Sequence, residues 1–267
     1  MGAGVGAWSG RGYRGRMADG AVVIVPARLA STRFAEKVLA DRTGRPLVQH
    51  VVDAVRQSAV AERVVVATDH ARVAEALRPF GTQVVMTRVD HPNGTSRLAE
   101  AAAALGLGAD QVIVNAQGDE PEMAGEVITA AVKALRETPG AAVGTAAAPL
   151  GAAEELGDRN VVKVVRALSG AALYFSRAGI PVDRDGRQLA AARPLRHIGV
   201  YAYRRGFLEQ YVAMPATPLE QSEQLEQLRV LEHGMTIGVG LCAAAQPGID
   251  TPEQYDAFVS RWRARNG

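Results

Sequence analysis

The sequence predicts a doubly wound α/β fold built on a mostly parallel sheet. Short apolar runs rich in valine and isoleucine recur through the first half of the chain, as in strands that are buried on both faces. Helical patterns of about three turns separate these runs, and a polar cluster follows each of them. Strands that alternate with helices form parallel sheets, which bind ligands at the carboxyl ends of their strands.

The predicted elements alternate regularly up to residue 150. Apolar, β-branched segments predict strands over 21–27, 63–69, 82–87, 111–116 and 141–150. Amphipathic segments predict helices over 47–58, 71–80, 96–105 and 126–137.

The pattern changes near Asn160, where alternating segments predict a smaller, largely antiparallel extension. Its strands are predicted over 160–167, 171–177 and 195–203. Two helices over 204–214 and 218–233, a strand over 236–242 and a final helix follow. Thr251 and Pro252 have the residue types that favour the cap and first position of that last helix.

The composition is that of an ordinary globular chain without a membrane span. Of 267 residues 48% are apolar, but no apolar stretch approaches the roughly 18 to 20 residues of a membrane helix. The excess of 30 basic over 28 acidic residues lies in residues 1–20, which argues against nucleic-acid binding by the folded body. That segment is rich in glycine and arginine and predicts a disordered extension rather than a signal peptide. The single cysteine, Cys242, fits a cytoplasmic protein.

Three cations in the loop after the first strand predict a polyphosphate site. Arg28, Arg33 and Lys37 lie five and four residues apart. Guanidinium groups form paired hydrogen bonds to phosphate oxygens, and a lysine adds a point charge. A solvated turn with scattered charge is the alternative, which the position of the loop at the binding edge disfavours. Neither a GxxxxGK[ST] nor a GxGxxG motif occurs, which argues against a P-loop enzyme and a dinucleotide oxidoreductase.

Two adjacent acids, Asp119 and Glu120, follow the apolar run VIVNA and indicate a metal site. Neighbouring carboxylates repel one another and lose hydration unless a positive charge lies between or above them. Asp119 could bind Mg²⁺ if substrate phosphates and water, or a second carboxylate, complete the coordination shell. Asp250 is the candidate second carboxylate, although it could instead help to start the final helix.

Several other polar residues have a structural interpretation when their local pattern is considered alone. His197 alternates with apolar residues on a predicted strand, and Glu226 and Gln227 could form the solvated face of an amphipathic helix. Ser31 and Ser96 lie in no nucleophile motif, which argues against acyl transfer.

Taken together, these clusters resemble the 3-deoxy-manno-octulosonate (Kdo) cytidylyltransferases, also called CMP-Kdo synthetases. The similarity covers nearly the whole chain after Asp19 and depends on the order and spacing of its motifs. The motifs are VIVPARLASTR with Lys37, VVVATDH, MTRVDHPNGTSRLAEA, VIVNAQGDEP, NVVKVV, ALYFSRAGIPVDRD, LRHIGVYAYRRGFL, PLEQSEQLEQLRVLE and IDTPEQY.

The resemblance implies transfer of CMP from CTP to a small acidic acceptor, with release of pyrophosphate and with Mg²⁺ as cofactor. It implies a Rossmann-like domain and a homodimer that pairs through the smaller extension. The chain then divides into a disordered extension (1–20), a nucleotide-binding domain (21–158), a dimerisation and acceptor-binding extension (159–217), and C-terminal helices and a strand that return to the α/β domain (218–267).

The resemblance also assigns roles to residues. It implies that the triphosphate is held by Arg28, Arg33 and Lys37, and cytosine and ribose by Arg88, Asn93, Gly94 and Gln117. It implies that Asp119 and Asp250 bind the metal and that the catalytic set is Arg33, Lys37, Asp119 and Asp250. The residues that it assigns to the acceptor are Arg177, His197, Tyr201, Glu226 and Gln227.

Two departures from the family pattern leave the acceptor open. Ala35 and Glu36 replace the usual Pro-Gly, which removes a flexible turn and adds a negative charge near Lys37. Ser96 replaces the usual acid of the GT-acid-R motif. Kdo or a related sugar acid is the first hypothesis, and a small phosphonate such as phosphonoformate is the alternative. A nucleotide-binding protein without turnover is a hypothesis of another class.

Overall fold

The fold is described here from a computed structural model, which covers residues 20–29, 33–91, 93–151, 153–185, 194–243 and 248–266. Of the predicted disordered extension, only Gly20 lies within these ranges, and Ser31 lies outside them. No helix of the described part is long and apolar enough to cross a membrane.

The described strands form a single sheet of nine strands. They are β1 (Ala21–Ala27), β2 (Ala61–Thr68), β3 (Gln83–Met86), β4 (Val112–Asn115), β5 (Ala141–Pro149), β6 (Lys163–Arg166), β7 (Ala172–Ser176), β8 (Leu195–Arg204) and β9 (Thr236–Leu241). The main order is β3-β2-β1-β4-β8-β5-β9, and β6 pairs with both β7 and β8. The prediction of a mostly parallel α/β sheet is confirmed.

The α-helices of the described residues pack against this sheet. They are α1 (Leu47–Val55), α2 (Ala71–Leu77), α3 (Gly94–Ala104), α4 (Gly125–Glu137), α5 (Arg205–Ala213), α6 (Pro218–Glu223), α7 (Leu228–Glu232) and α8 (Pro252–Asn266). Short 3₁₀ helices cover Lys37–Leu39, Arg78–Phe80 and Ala153–Leu156.

Strand β1 shows why these apolar runs become central strands. Val23 and Val25 enter one core with α1 and α4, whereas Val22 and Ile24 enter the opposite core with α3 and α5. A strand that is buried on both faces needs apolar side chains at successive positions, which is what AVVIVPA provides.

The chain reverses its direction of winding between β1 and β4. From β1 the chain proceeds to β2 and β3 on one side, and β4 then pairs in parallel with the other side of β1. Loops that follow such neighbouring strands diverge and leave a crevice at the carboxyl edge of the sheet. The loop after β1 and the loop after β4 therefore border the same crevice.

Strand β8 lies in the centre of the sheet, although the sequence predicted it in the smaller extension. It is antiparallel to both β4 and β5. Strands β6 and β7 alone branch from the main order, by pairing of β6 with the first residues of β8. Local alternation gave the correct strand, but it carries no information about the partner strand, which depends on tertiary packing.

The single helix predicted over 218–233 is wrong, because the structure divides it into α6 and α7. Gln224 adopts a left-handed conformation with φ 53°, which ends α6. A buried ion pair joins the two pieces, since Arg229 Nη2 lies 2.5 Å from Glu220 Oε1. The break leaves Glu226 and Gln227 in the turn before α7 rather than on a continuous helical face.

Candidate active site

The two predicted metal carboxylates and the loop lysine meet at one point. Lys37 Nζ donates hydrogen bonds to Asp119 Oδ2 at 2.7 Å, to Asp250 Oδ1 at 3.0 Å and to the Ile249 carbonyl oxygen at 2.8 Å. Arg33 Nη2 lies 3.0 Å from the same Asp250 oxygen. The structure therefore brings together the four residues predicted to be catalytic.

The Lys37 ammonium is largely buried and remains charged because of these partners. Burial alone would lower the pKa of Lys37, but Asp119 and Asp250 act through their charges and hydrogen bonds and raise it above its ordinary value. The resulting positive charge offsets the repulsion between the two carboxylates.

Gly118 allows the loop after β4 to bring Asp119 to this point. A Cβ atom at position 118 would lie 2.7 Å from the carbonyl oxygen of Pro26 in the neighbouring strand. That separation is well below an ordinary van der Waals contact, so any side chain here would displace the loop or the strand. The glycine of the QGD sequence is explained by this close approach.

Asp250 reaches the site from the C-terminal end of the chain. Ile249 N donates to the Asp119 carbonyl oxygen at 2.8 Å, which ties the two segments together. Gln254 N donates to Thr251 Oγ1 at 3.4 Å, as expected for a cap of α8. Because Thr251 takes the capping position, starting the helix does not account for the contact of the Asp250 carboxylate with Lys37.

The carboxylates of Asp119 and Asp250 form an arrangement that suits a divalent cation. Both already contact one positively charged nitrogen. Within the described ranges, no group of three or more His, Cys, Asp or Glu side chains could hold a metal ion. Mg²⁺ commonly binds through one or two carboxylates and completes its shell with water and substrate phosphates. The pair therefore fits the ligand set that the sequence predicts.

Glu120, the second acid of the adjacent pair, avoids charge repulsion in a different way. Desolvation, with a smaller contribution from the Asp119 charge, raises the pKa of Glu120 to about 8. This carboxyl group is therefore mostly neutral at pH 7, so only Asp119 of the two needs a counter-charge.

The residues predicted to hold the nucleoside border the same edge of the sheet. Asn93 caps α3, because its Oδ1 accepts a hydrogen bond from Ser96 N at 2.9 Å. The start of α3 is held by buried Arg97, which donates to Asp69 Oδ2 at 2.7 Å after β2. Arg88 is exposed after β3, and its Nε lies 3.5 Å from the Glu100 carboxylate.

A cavity of about 380 Å³ lies between the start of α3, strand β8 and the turn before α7. Its lining includes Gly94 and Gln117, which were assigned to the nucleotide, and four of the residues assigned to the acceptor. The lining residues are Gly94, Thr95, Asn115, Gln117, Asn160, Val161, Val162, Arg196, His197, Gly199, Tyr201, Gln224, Leu225, Glu226 and Gln227.

Gln117 links this cavity to the carboxylate cluster. Its Nε2 donates to the Gly199 carbonyl oxygen at 3.2 Å, and it precedes Asp119 by two residues. A Cβ atom at Gly199 would lie 3.9 Å from Gln117 Cγ and 4.0 Å from Glu120 Oε1. The loop that carries Asp119 therefore packs against the strand that forms the cavity wall.

His197 is a neutral member of the cavity lining. Burial lowers the pKa of His197 to about 3. Its Nε2 lies 2.9 Å from Thr145 Oγ1, and that hydroxyl donates to the Val200 carbonyl oxygen at 2.7 Å. Because the hydroxyl proton is used in this way, Nε2 carries the imidazole proton and Nδ1 is left as an acceptor.

Two buried amide side chains in the cavity have polar atoms without a partner. Tyr201 donates its hydroxyl proton to Gln227 Oε1 at 3.0 Å. Gln227 Nε2 and Asn115 Oδ1 are buried and make no hydrogen bond within the described structure. Such groups are costly to bury unpaired, so they indicate positions where a polar ligand would bind.

Glu226 adds a carboxyl group to the same cavity. Thr95 Oγ1 donates to Glu226 Oε2 at 3.1 Å. Desolvation raises the pKa of Glu226, while the hydrogen bond from Thr95 and the charge of Arg28 act in the opposite direction. The effect of Arg28 shows that the loop after β1 lies near this side of the cavity.

Arg177, the fifth residue assigned to the acceptor, does not line the cavity. Its guanidinium donates to the carbonyl oxygens of Glu223 at 2.8 Å, Arg159 at 3.0 Å and Gln224 at 3.3 Å. These bonds attach the end of β7 to the turn that carries Gln224. The structure thus places Arg177 behind the wall, where it supports residues that line the cavity.

Arg196 is a cavity residue that the sequence interpretation did not select. It directly precedes His197, and strict alternation along a strand would put the two on opposite faces of the sheet. A positive residue beside an acceptor motif was the available signal.

Comparison with known proteins shows the family to which this chain is related. A family model described as cytidylyltransferase matches residues 22–237. The 3-deoxy-manno-octulosonate cytidylyltransferase of Alkalilimnicola ehrlichii is 48% identical over 252 residues, which cover 92% of this chain and 96% of that protein. The chain belongs to the 3-deoxy-manno-octulosonate cytidylyltransferase family. The relative of the same name from Herminiimonas arsenicoxydans is 51% identical over 239 residues, or 86% of this chain and 94% of that protein.

A solved structure of a cytidylyltransferase of this family has the same fold. It is the structure of CMP:2-keto-3-deoxy-manno-octonic acid synthetase complexed with CTP, and it is 38% identical to this chain with a TM-score of 0.84. The match covers 92% of this chain and 99% of that chain. The solved 4-diphosphocytidyl-2C-methyl-D-erythritol synthase, 14% identical with a TM-score of 0.59, shares the fold; that match covers 92% of this chain and 98% of that one.

One departure from the cytidylyltransferase pattern is compensated within the structure. Glu36 adopts φ 52°, the left-handed conformation that glycine would allow without strain. Its carboxylate accepts hydrogen bonds from Arg72 Nη1 at 2.5 Å and Nη2 at 2.7 Å. The turn before Lys37 is retained, and the added negative charge is paired with Arg72 rather than left to act on Lys37.

The other departure, Ser96, has a local structural role. Its hydroxyl donates to the Asn93 carbonyl oxygen at 3.0 Å and lies 3.1 Å from His91 Nδ1. The other ring nitrogen of His91 contacts Glu100. A carboxylate is therefore still present beside the start of α3, although it comes from the next helical turn.

Proposed function

We propose that the protein transfers CMP from CTP to 3-deoxy-manno-octulosonate (Kdo) and releases pyrophosphate. The observation that carries this proposal is the convergence of Lys37, Asp119 and Asp250 beside a polar cavity. Membership of the cytidylyltransferase family supports the nucleotide, and the relatives, which are 3-deoxy-manno-octulosonate cytidylyltransferases, support the acceptor. The relatives do not support a phosphonate acceptor.

The triphosphate would lie along the loop after β1. Arg28, Arg33 and Lys37 supply three cations there, and charged hydrogen bonds to phosphate are stronger than neutral ones. Arg33 is exposed and Lys37 is held in place by its carboxylate partners. Such a set of cations would neutralise the charge that develops on the leaving pyrophosphate.

Asp119 and Asp250 would hold the magnesium ion of the reaction. The bound ion would supply Lewis-acid stabilisation to the phosphate oxygens. Asp119 and Asp250 would position the ion and would not attack the substrate, because the transfer needs no covalent intermediate with the protein. We assign cytosine and ribose binding to Arg88, Asn93, Gly94 and Gln117.

The chemical step is a single in-line displacement. A hydroxyl oxygen of the acceptor forms a bond to the α-phosphorus, and the bond from that phosphorus to the bridging oxygen of pyrophosphate breaks. The hydroxyl proton leaves to water. His197, Tyr201, Glu226 and Gln227 would hold the acceptor hydroxyl groups, with Gln227 Nε2 as an unused donor.

The decisive experiment measures pyrophosphate release from CTP, Mg²⁺ and Kdo. Wild-type protein should be active, and Asp119→Asn should lose roughly 100- to 1,000-fold in kcat while circular dichroism shows a retained fold. Omission of Mg²⁺ should abolish turnover. Release with phosphonoformate and none with Kdo would contradict the proposed acceptor, and an active Asp119→Asn variant would contradict the metal assignment.

We also infer a homodimer that pairs through region 159–217. Leu168 and Leu173, at the turn and on the second strand of the β6–β7 hairpin, are exposed apolar residues, which supports an interface there. Sedimentation velocity at several concentrations would measure the assembly state. A cytoplasmic location stays a prediction, supported by the presence of a single cysteine, Cys242, in the sequence.

A further inference from the structure

The loop after β3 carries two of the residues assigned to cytosine and ribose, Arg88 and Asn93, and it is anchored by two buried residues. Thr87 and His91 are buried, whereas the three residues between them are exposed. Arg97 Nη1 of α3 donates to Thr87 Oγ1 at 2.6 Å, which fixes the first anchor. An exposed stretch takes its position from its anchors, so the contacts of His91 affect where Arg88 and Asn93 lie.

The imidazole of His91 uses both of its nitrogen atoms. Nε2 donates to the Glu100 carboxylate, and Nδ1 lies 3.1 Å from Ser96 Oγ. The side chain of His91 is only 3% exposed. A buried imidazole is costly unless its nitrogens are hydrogen-bonded, so these contacts account for a buried histidine in an otherwise exposed loop. Ser96 and Glu100 are four residues apart on α3, which places both partners on one face of that helix.

The same two partners of His91 connect directly to Arg88 and Asn93. Glu100 Oε1 accepts a hydrogen bond from Arg88 N at 3.2 Å. Ser96 Oγ donates to the Asn93 carbonyl oxygen at 3.0 Å, and Ser96 N donates to Asn93 Oδ1 at 2.9 Å. Desolvation would raise the pKa of Glu100, but the hydrogen bonds from His91 and from Arg88 N outweigh it and lower the pKa. The imidazole therefore joins the two ends of the nucleoside-binding loop through α3.

His91 is placed to act through its neighbours rather than on a ligand. Gly94, which follows Asn93, is among the described residues that line the cavity, and His91 is not. Both ring nitrogens already have partners within the protein. Any effect of His91 on a bound nucleotide must therefore pass through Arg88 and Asn93.

We propose that His91 is a positioning residue for the nucleoside, because it fixes the loop after β3 to α3 and so sets the positions of Arg88 and Asn93. This inference rests on the proposed function, which assigns those two residues to cytosine and ribose. The triphosphate lies along the loop after β1, and the acceptor lies beside β8 and the turn before α7. Neither of these depends on the contacts of His91, so its loss weakens CTP binding through the nucleoside alone.

The test compares wild type with His91→Leu by isothermal titration calorimetry, using CTP and inorganic triphosphate as ligands at a fixed Mg²⁺ concentration. The variant should bind CTP about 5- to 30-fold more weakly, the factor expected when one or two hydrogen bonds are lost. Its dissociation constant for triphosphate and its KM for Kdo should each stay within about twofold of wild type. His91→Gln can still donate to Glu100 and should have an intermediate affinity for CTP.

Leu98→Ala is the matched control, because it perturbs the same helix without touching the hydrogen bonds of His91. Leu98 lies in α3, is fully buried and packs in the apolar core. The control should unfold at a lower temperature than wild type. At a temperature where it is fully folded, it should keep the wild-type affinity for CTP.

The outcomes separate the inference from the proposed function. A wild type that binds CTP but releases no pyrophosphate with Kdo would refute the function, while the CTP titration decides the role of His91. A folded His91→Leu variant with wild-type affinity for CTP would overturn that role, and His91→Gln decides in the same way if His91→Leu does not fold. Equal weakening of CTP and triphosphate, or an equal loss of CTP affinity in Leu98→Ala, would also overturn it, because the effect would then not be specific to the nucleoside.

Discussion

Gly118 shows at the residue scale how a missing side chain determines the position of a catalytic carboxylate. The loop after β4 must cross the end of β1 to reach Lys37, and the Pro26 carbonyl oxygen leaves no space for a Cβ atom. The conformation of Gly118 is not in the left-handed region, so steric contact rather than backbone freedom explains the glycine. The position of Asp119 therefore depends on its neighbour in sequence.

Gly118→Ala is predicted to impair activity more than stability. The added methyl group, 2.7 Å from the Pro26 oxygen, would displace the loop and move Asp119 away from Asp250. We expect a loss in kcat of about 100-fold, since small displacements of catalytic groups cost factors of this size. Steady-state rates and thermal unfolding would be measured together.

Gly108→Ala is the matched control for this prediction. A Cβ atom at Gly108 meets no other atom within 4 Å, and its φ lies outside the left-handed region. The control should keep both its activity and its stability. If Gly118→Ala keeps wild-type kcat, the steric explanation of the loop is wrong.

The helix break between α6 and α7 is the clearest effect at the scale of elements. It places Glu226 and Gln227 in the cavity wall, and the Glu220–Arg229 pair holds the two helices in this arrangement. Arg229 Nε and Nη2 donate to the two Glu220 oxygens at 2.7 and 2.5 Å, and its guanidinium lies over the Tyr211 ring. Both charged side chains are largely buried.

Arg229→Met is predicted to destabilise the protein and weaken acceptor binding. Removing one partner leaves the Glu220 carboxylate buried and unpaired, at a cost of about 3 to 5 kcal/mol in the free energy of unfolding. The loosened turn should raise the KM for the acceptor more than that for CTP. Denaturant unfolding and steady-state kinetics would measure the two effects.

The double variant Glu220→Gln with Arg229→Met separates charge burial from lost packing. It removes the unpaired charge, so it should be more stable than Arg229→Met alone. A double variant that is no more stable than the single one would contradict the assigned role of the ion pair.

These elements also show where prediction from sequence succeeds and where it stops. Strands β1 and β4 were predictable because a continuous apolar run is stable only in a strand that is buried on both faces. Lys37 and Asp119 were predictable as site residues because they follow these strands at the carboxyl edge of the sheet, where ligands bind. The break at Gln224 was not predictable, because PLEQSEQLEQLRVLE has helical periodicity throughout. The break allows Glu220 to pair with Arg229, nine residues later, which a continuous helix would place on its opposite face, and helical periodicity does not encode this pairing.

The site residues differ in the same respect. His197, Tyr201, Glu226 and Gln227 were correctly placed together only through resemblance, since each has an ordinary structural explanation in its local sequence. The role of Arg177 behind the wall depends on three carbonyl groups that are distant along the chain. Such contacts are properties of the folded structure.

The whole molecule assembles its catalytic cluster from segments that are far apart in the chain. Lys37 and Asp250 are 213 residues apart in sequence, yet they share a hydrogen bond. The final helix α8 makes this possible by packing on α1 through an apolar cluster of Leu47, Ile249, Tyr255, Phe258 and Val259. Phe34, in the loop that carries Arg33 and Lys37, packs against this cluster.

Phe258→Ala is predicted to lower stability and activity together, because the same cluster supports the fold and positions Asp250. Phe258 is 1% exposed, and its truncation should cost about 3 to 5 kcal/mol in the free energy of unfolding. We expect kcat to fall at least about tenfold at a temperature where the variant is fully folded, since Ile249 and Phe34 lose a packing partner.

Leu135→Ala, in α4 and also 1% exposed, is the control. It should lose similar stability, about 2 to 5 kcal/mol, but keep its kcat, because α4 carries no residue of the catalytic cluster. Equal kcat values for the two folded variants would show that α8 does not position Asp250.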